Sequence, residues 1–276
     1  MRYVINYSSG GLGNRLIPLC CCMQLAEKTN RSVGLVWNST ERCMGDFKNL
    51  FINSDIEIID INSLDPNDVV IYTDPWYITH DFELNKNPDL FVLSQKCEVK
   101  TLDKMNEIYN ELKKYVIIYE NTIFLELNDI SSKLKSLIPT NYVSNKVRTL
   151  SEELGLNKNV LGIHARGTDF IGETLEKYEI SINNIINNNP NQKVLFCSDS
   201  LEWETNIVNK YPNNIIIRPK KDYITKINEG IGWINNAHTS EDSVIEGLID
   251  IYLLSKTNFI MYNPNSTFAK IVNFLK

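Results

Sequence analysis

Apolar and polar positions along this chain fall into two series of short runs. The first opens with "YVINY" (3–7), a β-prone run that ends in Ser-Ser-Gly-Gly. "RLIPLCCCMQLAEKTNR" (15–31) then reads as a helix. Pro18 is tolerable near its first turn, and polar residues gather at its end. "SVGLVW" (32–37) is a second strand. Strand, glycine loop, helix, strand is a βαβ unit, which predicts a parallel sheet. From 55 to about 125 the pattern is less regular. "IEIID" (56–60), "DVVIY" (68–72) and "LFVLSQ" (90–95) predict strands, and "DKMNEIYNELKK" (103–114) predicts a helix. "DPWYITHDFELNKNPD" (74–89) is a long polar loop, and "SSKLKSLIP" (131–139) closes the first half.

The second series alternates more cleanly. "NYVSNKVRTLSEELG" (141–155) predicts a helix, "NVLGIHAR" (159–166) a strand and "ISINNIINN" (180–188) a helix. "KVLFCSD" (193–199) follows as a strand, "SLEWETNIVNKY" (200–211) as a helix and "NNIIIRP" (213–219) as a strand. "SEDSVIEGLIDIYLLSKT" (240–257) is a long helix opened by a Ser/Asp cap. "NFIMYN" (258–263) is a strand and "STFAKIVNFL" (266–275) a closing helix. The expected fold class is therefore α/β. Two Rossmann-like, doubly wound domains, 1–138 and 139–276, would face each other across a cleft. A single larger sheet with an elaborate first half is the competing architecture.

Composition narrows the function classes. A chain of 276 residues with 43% hydrophobic and 22% charged residues is an ordinary globular protein. Its net charge of -6 argues against a nucleic-acid scaffold, which needs a surplus of Lys and Arg. One small anionic ligand needs only a local cluster and stays open. No apolar run approaches the roughly 20 residues that span a bilayer, and "MRYVINYSSGG" lacks the apolar run of a signal peptide. The expectation is a soluble, cytoplasmic protein without an integral membrane segment. The six cysteines (20, 21, 22, 43, 97, 197) include no Cys-x-x-Cys pair. That spacing favours reduced, buried thiols over a zinc or redox site.

Three short stretches carry candidate chemistry. "SSGGLGNRL" (8–16) gathers Gly10, Gly11, Gly13, Asn14 and Arg15 between a strand and a helix. As a dinucleotide fingerprint it fails twice. Leu16 stands at the third glycine position, and Asn38 stands where an acid should bind the ribose. It lacks the Gly-Lys-Ser/Thr of a P-loop. On its own the loop reads equally as a turn whose glycines relieve backbone strain. The strand "NVLGIHARGTDF" ends in His164, Arg166 and Asp169. His and Arg at i and i+2 share a strand face, and at the C-terminal end of a parallel strand they point into the ligand crevice. A guanidinium fork beside an imidazole suits a diphosphate. A buried structural His-Arg-Asp network is the plainer alternative.

These stretches together resemble the fucosyltransferase superfamily, which includes α1,2- and α1,6-fucosyltransferases, rhizobial nodulation fucosyltransferases and protein O-fucosyltransferases. "HARGTD" is similar to its His-x-Arg-x-x-Asp motif, and Gly10–Asn14 match its N-terminal glycine loop. "LFCSDS", with Ser198 and Asp199, is similar to its Ser/Thr-Asp strand end. "EGLIDIYLLSKTNFIMYNPNSTFAKIV" resembles its last block. The four blocks keep the family's order from residue 7 to about 272, whereas 40–140 shows no resemblance.

The resemblance implies a GT-B fold and an inverting, metal-independent transfer of fucose from GDP-fucose to a glycan or other hydroxyl acceptor. It implies no cofactor besides that donor. By the same resemblance Arg166 binds the β-phosphate and steadies the departing GDP, and His164 adjoins the donor. Gly10, Gly11, Gly13, Asn14 and Arg15 cover the diphosphate. Asp250 reads the guanine. Ser266, Thr267 and Phe268 open the last helix with N–H groups that can bind phosphate. Asp199 contacts the nucleotide or caps the following helix. Glu173, close to where the α1,6 relatives carry a glutamate, is the candidate base, with Asp74 and Asp81 in reserve. Trp76 and Tyr77 could stack on an acceptor sugar, and read equally as ordinary core anchors. His80 and His238 read as structural or surface residues.

This chain departs from the pattern at Gly167, where many relatives carry a second arginine. Arg15, or Arg218 with Lys220 and Lys221, could supply the missing charge, although a solvated loop is the commoner fate of such lysines. The chain has no Asp-x-Asp triplet of the kind that holds a divalent ion in metal-dependent enzymes. A glycosyltransferase with another sugar nucleotide, and a nucleotide-binding protein that has lost catalysis, remain as alternatives.

Overall fold

A computed structural model describes residues 1–74, 88–101, 105–120, 130–168, 174–226, 237–260 and 263–276. The chain divides into two compact units. One comprises 1–38 and 53–138, the other 39–52 and 139–276.

The first unit is built on a six-stranded parallel sheet in the order β3-β2-β1-β6-β4-β5. The strands are β1 (Tyr3–Tyr7), β2 (Ser32–Val36), β3 (Ile56–Ile58), β4 (Val69–Thr73), β5 (Val99–Thr101) and β6 (Tyr115–Tyr119). Both faces of β1 are buried, which explains why its apolar pattern is continuous instead of alternating. Beside it runs β6, "YVIIY", a segment that the sequence pattern had left unassigned. Its register sets Tyr115 against Tyr3 and Tyr119 against Tyr7.

Two expectations change here. "LFVLSQ" lies mostly in a helix, Pro88–Ser94, and not in a strand. Leu90 and Leu93 are buried while Val92 is half exposed, so the inward positions recur every three residues and not every two. The first helix spans Leu12–Lys28 and so begins three residues earlier than expected, which puts Pro18 at its seventh position. Pro18 has no N–H to offer the carbonyl four residues back. The helix is buried around most of its circumference, from Arg15 to Ala26.

The second unit carries a four-stranded parallel sheet, β12-β7-β8-β9. Its strands are β7 (Leu161–Ala165), β8 (Val194–Ser198), β9 (Ile215–Ile216) and β12 (Asn258–Ile260). A separate antiparallel pair joins β10 (Thr225–Lys226) to β11 (Ala237–His238). "NNIIIRP" contributes only its two central isoleucines to the sheet. Ile163, Ala165, Val194, Phe196 and Ile215 pack against Tyr178, Ile182 and Ile207 of the flanking helices. The helix Glu241–Ser255 opens on a reciprocal capping box between Ser240 and Ser243. Segment 39–52 is fastened within this unit. The Thr239 N–H donates to the Glu41 carbonyl at 2.8 Å, and the Thr140 N–H donates to the Leu50 carbonyl at 3.0 Å.

Among the described residues no helix is long and apolar enough to cross a membrane.

Candidate functional site

In a parallel sheet the ligand crevice lies at the carboxyl ends of the strands, where the strand order reverses. In the first unit that point is β1, flanked by β2 and β6. The chain leaves β1 through Ser8–Gly11 and enters the first helix. That helix has Gly11 as its N-cap, makes no side-chain capping bond and has no acid in its first turn. Gly10 has no room for a side chain, since a Cβ there would lie 2.8 Å from the Asn14 Cβ. Arg15 is fully buried and holds the loop from within. Its Nε donates to the Gly10 carbonyl at 2.7 Å. One terminal nitrogen donates to Asn38 at 2.8 Å and the other to Ser9 at 3.3 Å. Its guanidinium also lies 4.9 Å from the centroid of the Trp37 ring.

In the second unit the order reverses at β7, between β8 and β12. His164 lies on β7, and Arg166 follows its last residue. Together with Tyr178, Asn263 and Ser266 they line a cavity of about 10 Å³, room for roughly one water. The Phe268 ring stacks on the His164 imidazole, with centroids 3.8 Å apart and planes 13° from parallel. Ser266 is the N-cap of the helix Thr267–Leu275 and accepts the Ala269 N–H at 3.3 Å. His164, Arg166, Ser266, Thr267 and Phe268 therefore meet at one strand end. Burial, followed by the charge of Arg166, lowers the His164 pKa from 6.5 to about 3, although Asp250 opposes the shift. The ring is neutral at physiological pH and can exchange hydrogen bonds without carrying charge.

Asp199 follows β8 and accepts two bonds from the loop after β7. These are the Gly167 N–H at 2.6 Å and the Thr168 hydroxyl at 2.7 Å. The helix Leu201–Lys210 is capped by Ser200 instead. Gly167 itself is enclosed, because a Cβ there would lie 2.8 Å from the Ser200 Cβ and 2.9 Å from the Trp203 indole. A side chain at position 167 would therefore clash with both Ser200 and Trp203.

A buried ionic cluster lies in this unit too. Arg218 Nε donates to Asp250 Oδ1 at 2.7 Å, and its guanidinium also pairs with Glu246. Lys220 Nζ lies 2.8 Å from Asp250 Oδ2 and 2.5 Å from Glu204 Oε1. Both Asp250 oxygens are thus engaged by cations. Burial would raise the Asp250 pKa, but Arg218 and Lys220 hold it below the ordinary carboxylate value. Burial likewise opposes the charge on Lys220, and Asp250 and Glu204 keep its pKa above the ordinary lysine value. The expectation of solvated lysines fails for Lys220, whose side chain is 3% exposed. It holds for Lys221, which is 64% exposed and pairs with Asp242 at the surface. Ser198 ends β8 in contact with this cluster. Its N–H donates to Glu204 at 2.8 Å, and its carbonyl accepts from Lys220 at 2.5 Å.

Asp169, Glu173, Trp76, Tyr77, His80 and Asp81 lie outside the described residues. Asp74 follows β4 and is half-buried. His238 is exposed and lies 3.2 Å from Glu41. Among the described residues no group of three or more His, Cys, Asp or Glu is arranged to hold a metal. The cysteines are thiols outside any disulfide, and burial pushes the pKa of Cys21 to about 12 and that of Cys97 to about 11.

Sequence reasoning passed over Glu120. It follows β6, accepts the Ser9 N–H of the glycine loop, and has a φ of 49°. The one signal for it was its place directly after "YVIIY", which went unread together with that strand.

No family model and no curated protein matches the chain. Solved structures do. NodZ α-1,6-fucosyltransferase co-crystallized with GDP is similar over 99% of this chain and 92% of its own, with a TM-score of 0.63 and 17% identity. The fucosyltransferase NodZ from Bradyrhizobium gives a TM-score of 0.62 at the same identity and coverage. POFUT1 in complex with GDP-fucose gives 0.60 at 13% identity, covering 99% of this chain and 93% of its own. The chain has the α/β fold of GT-B glycosyltransferases. Within that class its fold is the one shared by NodZ and POFUT1.

Proposed function

We propose that this protein is a glycosyltransferase that takes GDP-fucose as donor and transfers fucose, with inversion and without a metal, to a hydroxyl of a glycan or other acceptor. The observation that carries the reading is the meeting of His164, Arg166 and the capped start of the last helix at the switch point of the second sheet. Likeness of fold to structures bound to GDP and GDP-fucose supports it.

Inverting transfer is a single displacement at the anomeric carbon, and negative charge grows on the departing diphosphate. Arg166 opposes that charge with its guanidinium. His164, neutral, orients the donor by hydrogen bonding. N–H groups of the glycine loop and of the Ser266–Phe268 turn add donors for phosphate oxygens. Arg15 acts through the backbone it holds at Ser9 and Gly10, and Asp250 acts through the Arg218 and Lys220 side chains, the second of which holds the Ser198 carbonyl. Glu173 takes the proton from the acceptor hydroxyl.

Calorimetric titration with GDP, GDP-fucose, GDP-mannose, UDP-sugars and NAD tests the donor. GDP and GDP-fucose are expected to bind, and Arg166→Ala is expected to abolish that binding. Tighter binding of a UDP-sugar would transfer the reading to another sugar nucleotide. GDP-fucose binding with neither transfer nor hydrolysis would leave a non-catalytic nucleotide-binding protein.

A further inference from the structure

In both parallel sheets, the loop that leaves the strand at the switch point meets a carboxylate from the neighbouring strand. In the first unit β6 lies beside β1, and Glu120 is the residue after β6. Its carboxylate accepts the N–H of Ser9, two residues beyond the end of β1. In the second unit β8 lies beside β7, and Asp199 is the residue after β8. Its carboxylate accepts the N–H of Gly167, two residues beyond the end of β7, and the Thr168 hydroxyl as well. The offset and the neighbour relation are the same in two units with no shared sequence pattern.

Both acids are themselves anchored. The Glu120 N–H donates to the Tyr7 carbonyl at 3.0 Å. Its φ of 49° is one that a long side chain rarely adopts, and it persists where the surroundings over-determine it. Asp199 follows Ser198, both of whose peptide groups are bound by the Glu204–Lys220 pair. A carboxylate beside a loop that receives a diphosphate repels the ligand. Anion binding therefore does not explain these acids, whereas fixing the loop does. A loop ordered in advance loses less conformational freedom when its ligand arrives.

We infer that Glu120 and Asp199 are positioning residues, a pair of latches that hold the glycine loop and the Arg166 loop in place before the donor binds. This rests on the donor reading of both loops given above.

Hydrogen exchange on the ligand-free protein reads the latches directly. The amides of Ser9 and Gly167 are expected to exchange slowly in the wild type. They are expected to exchange roughly tenfold faster or more in Glu120→Ala and Asp199→Ala respectively, each having lost a charge-assisted bond. GDP affinity should weaken by about tenfold in each alanine variant, by the same loss. It should recover in Glu120→Gln and Asp199→Asn, whose amide oxygens still accept an N–H. Glu120→Gly removes the carboxylate without the strained φ, and serves if the alanine variant fails to fold. Unchanged exchange in the variants lacking the carboxylate overturns the latches. So does a Gln or Asn variant that restores slow exchange yet binds GDP as poorly as alanine, since the carboxylate would then contact the ligand. A fall in kcat at constant KM in Glu120→Gln or Asp199→Asn overturns them as well, in favour of a proton-transfer role. Slow wild-type exchange that the alanine changes accelerate supports the latches even if no GDP species binds, a result that would overturn the donor reading instead.

Discussion

Arg15 in the first unit and Arg218 in the second, both buried, show two ways of holding a guanidinium inside the protein. Arg15 is 0% exposed and donates to the carbonyls of Ser9, Gly10 and Asn38. Arg218 is 2% exposed and pairs with the carboxylates of Asp250 and Glu246. Carbonyl dipoles solvate a cation, whereas carboxylates neutralise it. The two solutions leave different groups behind when the arginine is removed. Arg15 would leave neutral acceptors unmatched and Arg218 would leave charges, and a buried unpaired charge is the costlier of the two.

Removing both arginines in turn breaks the comparison most sharply. Arg218→Ala is expected to destabilise the second unit by about 3–5 kcal/mol, because buried Glu246 loses its cation and Asp250 keeps only Lys220. Arg15→Ala is expected to cost about 3 kcal/mol through unpaired carbonyls and lost volume. Urea denaturation measures both, and a larger loss for Arg15→Ala would invert the ranking. The adjacent lysines offer a contrast within one unit. Lys220→Met leaves Glu204 without its cation and Asp250 with Arg218 alone, and should cost about 3 kcal/mol. Lys221→Met breaks only a surface pair and should leave the midpoint unchanged. Equal effects would mean that the buried cluster is not a stability element. Gly167→Arg should cost about 1–3 kcal/mol by overpacking against Trp203. The same unfolding midpoint reports it, and GDP affinity should not improve.

The smallest expected effect near neutrality is in the pH dependence. His164 has a folded pKa of about 3 against an unfolded value of 6.5. Between those values the unfolded chain binds the extra proton. The contribution of His164 is therefore intact above about 6.5 and is lost as pH falls from 6.5 towards 3. His164→Asn should flatten the stability slope across that window. Asp250, depressed below 3.8, adds a separate loss at still lower pH. GDP-fucose affinity should show no step near pH 6.5 that His164→Asn removes.

Much of the fold was legible because parallel strands buried on both faces write continuous apolar runs, as "YVINY", "VLFCS" and "LGIHA" do. The second unit was read almost element by element for this reason. The first unit hid more. "YVIIY" sits among runs without clear breaks, and "LFVLSQ" is apolar enough to pass for a strand until Leu90 and Leu93 are seen to face inward together. At the site, residue types and order pointed to His164, Arg166 and the Ser266–Phe268 turn, and the fold brings these to one strand end. The commitments of Arg15, Asp199 and Asp250 could not be read in advance. An acid that latches a loop, one that pairs with a lysine and one that binds a base are the same letter in a sequence.

The sequence by itself determined the alternation of strands and helices and the glycine loop, since periodicity and backbone freedom are local properties. Only the tertiary structure decided which charges are buried against each other. It also decided that Gly167 is closed to any side chain and that Glu120 reaches the loop after a strand 111 residues away. Those outcomes depend on strand order, and strand order brings together residues that no local pattern connects.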